Sequence, residues 1–129
     1  MIIDPILWLP MTNTERSQVL RWRLGWIPGG ISRPCPYHPS QTFSRTHSIE
    51  CLHMHHRLQM PRTVTDPLCF LLNQLLTKKL KCSQDMAHWT IRWPVICIIL
   101  HEMNYLFHER LPPDPPSEPG LLLVKWLFN

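Results

Sequence analysis

Seven of the side chains that bind soft metal ions best, Cys35, His38, His47, Cys51, His53, His55 and His56, fall within residues 35–56. Four of them form the pattern Cys35-x2-His38-x8-His47-x3-Cys51. Thiolate and imidazole are ligands that zinc prefers, and a structural zinc site uses four of them with no open position. Two ligands separated by two residues can chelate one ion across a tight turn. Two ligands four positions apart meet on one face of a helical turn. A spacer of eight lets the two halves close into a tetrahedron, and Pro36 stiffens the first turn. The spacing therefore predicts one structural zinc on Cys35, His38, His47 and Cys51, with His53, His55 or His56 each close enough to replace a named ligand.

The elements that must position these residues read as helices joined by proline-rich loops. Thr12 and Glu15 have capping-box spacing at the start of a helix over residues 12–27, which Pro28-Gly29-Gly30 should end. Residues 28–62 carry Pro28, Pro34, Pro36, Pro39 and Pro61 and are expected to need a metal to hold them together. A short helix is expected over residues 49–58, beginning at Ser48. Asp66 and Pro67 start a further helix over residues 66–81, where Leu68, Leu71, Leu72, Leu75 and Leu76 keep helical rhythm and Lys78, Lys79 and Lys81 suit the last turn. Another helical stretch covers residues 85–110, with a kink or break expected at Pro94 and with Ile96, Ile99, Leu100, Met103 and Leu106 on one side. Residues 112–120 read as a polyproline-like linker, and the apolar segment after them should dock on the helices.

The formal net charge of +4 is uneven. Residues 1–65 hold seven Arg against Asp4, Glu15 and Glu50, whereas residues 66–129 hold six basic and six acidic groups. Arginine binds phosphate bidentately in a way lysine cannot copy. Arg16, Arg21 and Arg23 on the first helix, with Arg33 and Arg45 flanking the metal ligands, are therefore the candidate phosphate contacts, and Trp22 is a candidate stacking platform for a base. The alternative for these Arg is a solvated face, and for Trp22 a place in the core.

Residues 15–30, with Glu15-Arg16, Leu20-Arg21-Trp22-Arg23-Leu24-Gly25-Trp26-Ile27-Pro28-Gly29-Gly30, are followed by Cys35-Pro36-Tyr37-His38, Thr46-His47 and Cys51. Together they resemble the C-terminal tail of non-LTR (LINE-type) retrotransposon reverse transcriptases. In that family a helix bearing arginine and tryptophan leads into a zinc-knuckle-like Cys, Cys, His, Cys motif. Cys35, His47 and Cys51 match the motif's ligands, and His38 stands where the family often has Cys. The resemblance covers about residues 12–58 and implies a module that holds template RNA or target DNA.

Other chemistry is missing. There is no Tyr-x-Asp-Asp polymerase core, and only nine acidic residues are present, with no array suited to two-metal catalysis. His101-Glu102-Met103-Asn104-Tyr105 begins like a zinc-protease motif but ends in Tyr105 where a second ligand is required. No apolar run approaches the length of a membrane span, and no secretory signal is evident, so no membrane partner and an intracellular location, the nucleus included, are expected. The expected fold is mainly α, a small irregular zinc-knuckle-like loop module with three to four packed helices, in three parts: residues 12–62, 66–110 and 111–129. The expected function is non-catalytic binding of zinc and of RNA or single-stranded DNA, with no small-molecule substrate. The rivals are a metal-free helical interaction module and a decayed mobile-element fragment without a selected function.

Overall fold

The computed structural model describes residues 5–25, 31, 33–74 and 83–128. Among them are six α-helices and one two-stranded antiparallel sheet, so the fold is mainly α. A 3-10 turn at Pro5–Leu7 precedes α1 (Asn13–Leu24). The hairpin β1 (Pro34–Cys35) and β2 (His38–Thr42) leads into α2 (Arg45–Cys51) and α3 (Met54–Arg57). Then come α4 (Pro67–Leu72), the long α5 (Ser83–Phe107) and α6 (Leu121–Leu127).

The helix starts follow the local sequence. The Thr12 hydroxyl accepts from the Glu15 N–H at 3.1 Å, and a Glu15 carboxylate oxygen accepts from the Thr12 N–H at 2.9 Å, which completes the capping box. Asp66 caps α4 by accepting from the Cys69 N–H at 2.9 Å, with Pro67 in the first turn.

The helix ends differ from expectation. Helix α1 stops at Leu24, because Gly25 adopts a left-handed conformation with φ 65° and its N–H bonds back to Arg21 and Trp22 carbonyls. The Pro28-Gly29-Gly30 stop signal lies outside the described residues. Helix α4 ends at Leu72 with Asn73 as its cap, and the expected continuation through Leu75, Leu76 and the three lysines also lies outside them. The helix expected over residues 49–58 instead begins after Ser44, whose side chain accepts from the His47 N–H, and is divided at His53, which is left-handed with φ 52°. Helix α5 is not divided at Pro94. Proline removes one backbone bond, but Trp89, Trp93, Ile96, Ile99, Leu100, Met103 and Leu106 are all buried along the helix, and that packing keeps the helix continuous across Pro94.

One buried apolar cluster takes residues from the 3-10 turn, β1 and all six helices, while β2 stays exposed. The proline-rich stretch is not separate from it: Cys35, Phe43, Ile49, Leu52, Met54 and Leu58 enter the same core as Trp22 and Trp93. Residues 111–116 form no helix or strand, and α6 then returns to α5 with Leu123 and Leu127 buried. Gly120, left-handed with φ 71°, makes that return. Its N–H donates to the Glu15 carboxylate at 2.8 Å, so the side chain that caps α1 also holds the approach to α6.

Candidate metal centre

Cys35 and His38 face each other across the hairpin, with only Pro36 and Tyr37 between them. The hairpin is closed by the Phe43 N–H donating to the Arg33 carbonyl at 2.7 Å. His47 and Cys51 lie one turn apart on α2. Ser44 fixes where that helix starts and hence which way the pair faces. Phe43, fully buried, sits between the two halves. Its ring packs edge-on against His47 at 5.8 Å and against Phe107 of α5 at 4.8 Å, which ties the ligand helix to the core.

The four potential ligand atoms lie within 4.8 Å of one another. The two sulfurs are 3.8 Å apart, and His38 Nδ1 is 3.8 Å from Cys35 Sγ and 3.7 Å from Cys51 Sγ. A tetrahedral zinc with Zn–S of about 2.3 Å and Zn–N of about 2.0–2.1 Å has ligand-to-ligand edges of roughly 3.3–3.8 Å. These three separations are thus already those of a coordination tetrahedron. The His38 and His47 rings stand nearly perpendicular, with centroids 5.3 Å apart. His47 Nε2 is buried and has no hydrogen-bond partner. A buried polar nitrogen left this way costs free energy, and a metal bond would satisfy it. The residues therefore fit a four-coordinate ion, and the cluster can hold one.

The electrostatics point the same way. Burial, and then the bond and charge of Cys35 and the charge of Glu102, raise the Cys51 thiol from 9.0 to about 11. Burial, and then the charge of His38, lower His47 below its usual 6.5. Tyr37 is raised by burial and by Glu102 and the two thiols. Glu102, on α5, is held by Arg57 through two bonds of 2.7 and 3.0 Å. It places negative potential beside the thiols, which favours a cation between them. Sequence spacing gave no sign of Glu102, because only the tertiary fold brings α5 to the hairpin.

His53, His55 and His56 do not join the group; His55 Nε2 instead donates to the Val64 carbonyl at 2.6 Å. Glu102 thus belongs to the surroundings of this site, and His101 contacts the Pro113 carbonyl at 3.3 Å.

Each arginine proposed from sequence to touch nucleic acid has a partner within the chain. Arg16 donates to the Ile6 and Leu9 carbonyls, each at 3.0 Å, and so secures the 3-10 turn. Arg21 donates to Asn104 at 3.2 Å and Arg23 to Asn73 at 2.9 Å. Arg45 pairs with Asp66 at 2.9 Å, donates to the Trp22 carbonyl and lies 3.9 Å over the Trp22 ring. Trp22 itself is 4% exposed, a core residue with Arg45 on its face. Arg21, Trp22 and Arg45 line one cleft with Leu100, Met103 and Phe107, while Arg33 stays at the surface 3.7 Å from Glu109.

No protein-family model matches the chain, and no curated protein or solved structure matches it either.

Proposed function

We propose that this chain is a non-catalytic module built around a structural zinc, and that it binds single-stranded nucleic acid. The convergence of Cys35, His38, His47 and Cys51 to within 4.8 Å supports the metal. Two thiolates and two imidazoles neutralise a divalent ion and leave no position for substrate, which is the structural rather than the catalytic form of a zinc site. The role of the metal is mechanical: Cys35 and His38 come from the hairpin, His47 and Cys51 from α2, and the ion joins the two.

The nucleic-acid half rests on the surplus of arginine in residues 1–65 and on the resemblance to retrotransposon tails. Arg33, beside the first ligand, and Arg62, with a side chain 78% exposed, are the cations best placed for it. Exposed Leu7, Ile91, Leu122 and Phe128 favour the rival reading of an apolar interaction module. A zinc assay on purified, reduced protein followed by a salt titration against single-stranded RNA and DNA separates these. One zinc per chain is expected, with affinity falling linearly on a log–log salt plot by roughly 0.7 per phosphate contact. Absence of zinc sinks the metal reading. Zinc-loaded protein that binds neither strand at low salt leaves the interaction module.

A further inference from the structure

We infer that Cys35 and Cys51 are a redox modification site at which a peroxide closes a disulfide and expels the metal without detaching the hairpin. This rests on the zinc reading above, and it concerns what the same four residues do under oxidation.

The two sulfurs are 3.8 Å apart, and a disulfide requires about 2.05 Å. They are the only sulfurs in the cluster. Cys97 is buried elsewhere on α5 and Cys69 lies on α4, so among the described residues each ligand thiol has the other as its nearby sulfur. The two differ in access. Cys35 is fully buried, whereas Cys51 is only partly so. Reactivity toward oxidants follows thiolate character and exposure, and zinc holds both sulfurs as thiolates. Cys51 is therefore where peroxide arrives, and Cys35 is the resolving thiol.

The Cys51 thiolate attacks one peroxide oxygen, the O–O bond breaks, and Cys51 sulfenic acid and hydroxide form. The Cys35 thiolate then attacks the Cys51 sulfur, the S–O bond breaks, and a second hydroxide leaves. Two electrons pass from the sulfurs to the peroxide, and both hydroxides take up protons to become water. Zinc leaves as the aqueous divalent ion with its oxidation state unchanged, because two imidazoles alone do not complete a structural site. The new bond links β1 to α2, which is the same join the metal made. Oxidation thus exchanges one tether for another and frees the ion together with His38 and His47.

The test treats zinc-loaded protein with stoichiometric hydrogen peroxide while a chromogenic chelator reports free zinc. Intact mass, peptide mapping and proteolysis follow. The expected result is one zinc released per chain, a mass lower by two hydrogens, a Cys35–Cys51 linked peptide, hairpin resistance to protease close to that of the zinc form, and reversal by dithiothreitol. Cys69→Ser should behave like the parent. Zinc release accompanied by oxygen addition at Cys51, or by a disulfide to another cysteine, overturns the inference while leaving the zinc site standing. A Cys35–Cys51 disulfide formed in a chain that takes up no zinc overturns the metal reading and the release step with it.

Discussion

Clustering two thiols and two imidazoles has a cost that is visible in how Cys51 and His47 titrate. Cys51 keeps its proton up to about 11 in the folded chain, against an ordinary value of 9.0. Above pH 9 the unfolded chain therefore binds fewer protons than the folded one, and stability falls as pH rises through 9 to 11. His47 is displaced in the other direction, below 6.5. Below that pH the unfolded chain binds the proton that folded His47 resists, so stability falls on acidification as well. The metal-free protein should show a melting temperature that drops on both sides of neutrality. Zinc should shrink the alkaline limb, because a coordinated sulfur is already a thiolate, and leave only the part due to Cys97, whose thiol burial pushes up; it should shift the acid limb to the pH at which protons displace the ion. Melting curves with and without zinc from pH 5 to 11 check this. Superimposable profiles would contradict it. Arg45 shows the opposite use of charge at this scale. Its guanidinium is consumed by Asp66, by the Trp22 carbonyl and by the Trp22 ring. Arg45→Ala should therefore cost about 1.5–3 kcal/mol in stability, as expected for bonds to a charged group. Arg62→Ala, at an exposed pair with Glu50, should cost under about 1 kcal/mol. Equal costs in urea unfolding would refute the distinction.

At the scale of elements, two left-handed glycines make a matched comparison. A Cβ at Gly25 (φ +65°) would meet nothing within 4 Å, whereas one at Gly120 (φ +71°) would lie 2.5 Å from Trp93 Cδ1 and 2.8 Å from Trp93 Nε1. Gly25→Ala should cost the backbone term alone, about 1–2 kcal/mol. Gly120→Ala should add overpacking of about 1–3 kcal/mol, because fully buried Trp93 cannot swing aside. Denaturant midpoints that fall equally for both would show that Trp93 yields. These two positions also mark what the sequence could and could not reveal. Unlike the start of α2 after Ser44, the starts of α1 and α4 were legible, since a capping box and an Asp-Pro pair act within one turn of chain. That Cys35, His38, His47 and Cys51 come together was legible for the same reason: a hairpin turn and a helical turn fix each half locally. Helix ends were not. Gly25 stops α1 ahead of a more conspicuous Pro-Gly-Gly, and Pro94 fails to divide α5 because packing on both sides outweighs one missing bond. Arg16, Arg45 and Glu102 were illegible in a deeper sense. Their partners lie on other elements, and nothing in spacing reports that an arginine faces a carbonyl or a buried indole.

At the scale of the whole molecule, the question is how far the loss of metal would spread. Residues 28–62 read from sequence as a stretch with no core of its own, which implies that a chelator disorders all of it. The packing narrows that expectation. Phe43, Ile49, Leu52, Met54 and Leu58 are buried in the cluster that also holds Trp22, Trp93 and Leu100, so α2 and α3 are anchored whether or not an ion is bound. Strand β2 is exposed at every position from His38 to Thr42, and it pairs only with the two residues of β1. An isolated two-stranded hairpin is marginal in water at best. Its restraint comes from Cys35 and Phe43 at its base and, on the zinc reading, from the ion that His38 and Cys35 would share with α2. Structural zinc adds its binding energy to folding where the ligands are held, and here that energy is needed by the hairpin far more than by the helices. Chelation should therefore raise amide exchange and protease cutting across residues 34–42, with Tyr37 the first site opened to chymotrypsin. Residues 43–58 and the helical circular dichroism should change little. Cutting that spreads through α2 and α3 would mean that the metal supports the shared core. A hairpin equally protected with and without zinc would mean that its short ladder, closed by the Phe43–Arg33 bond, suffices alone.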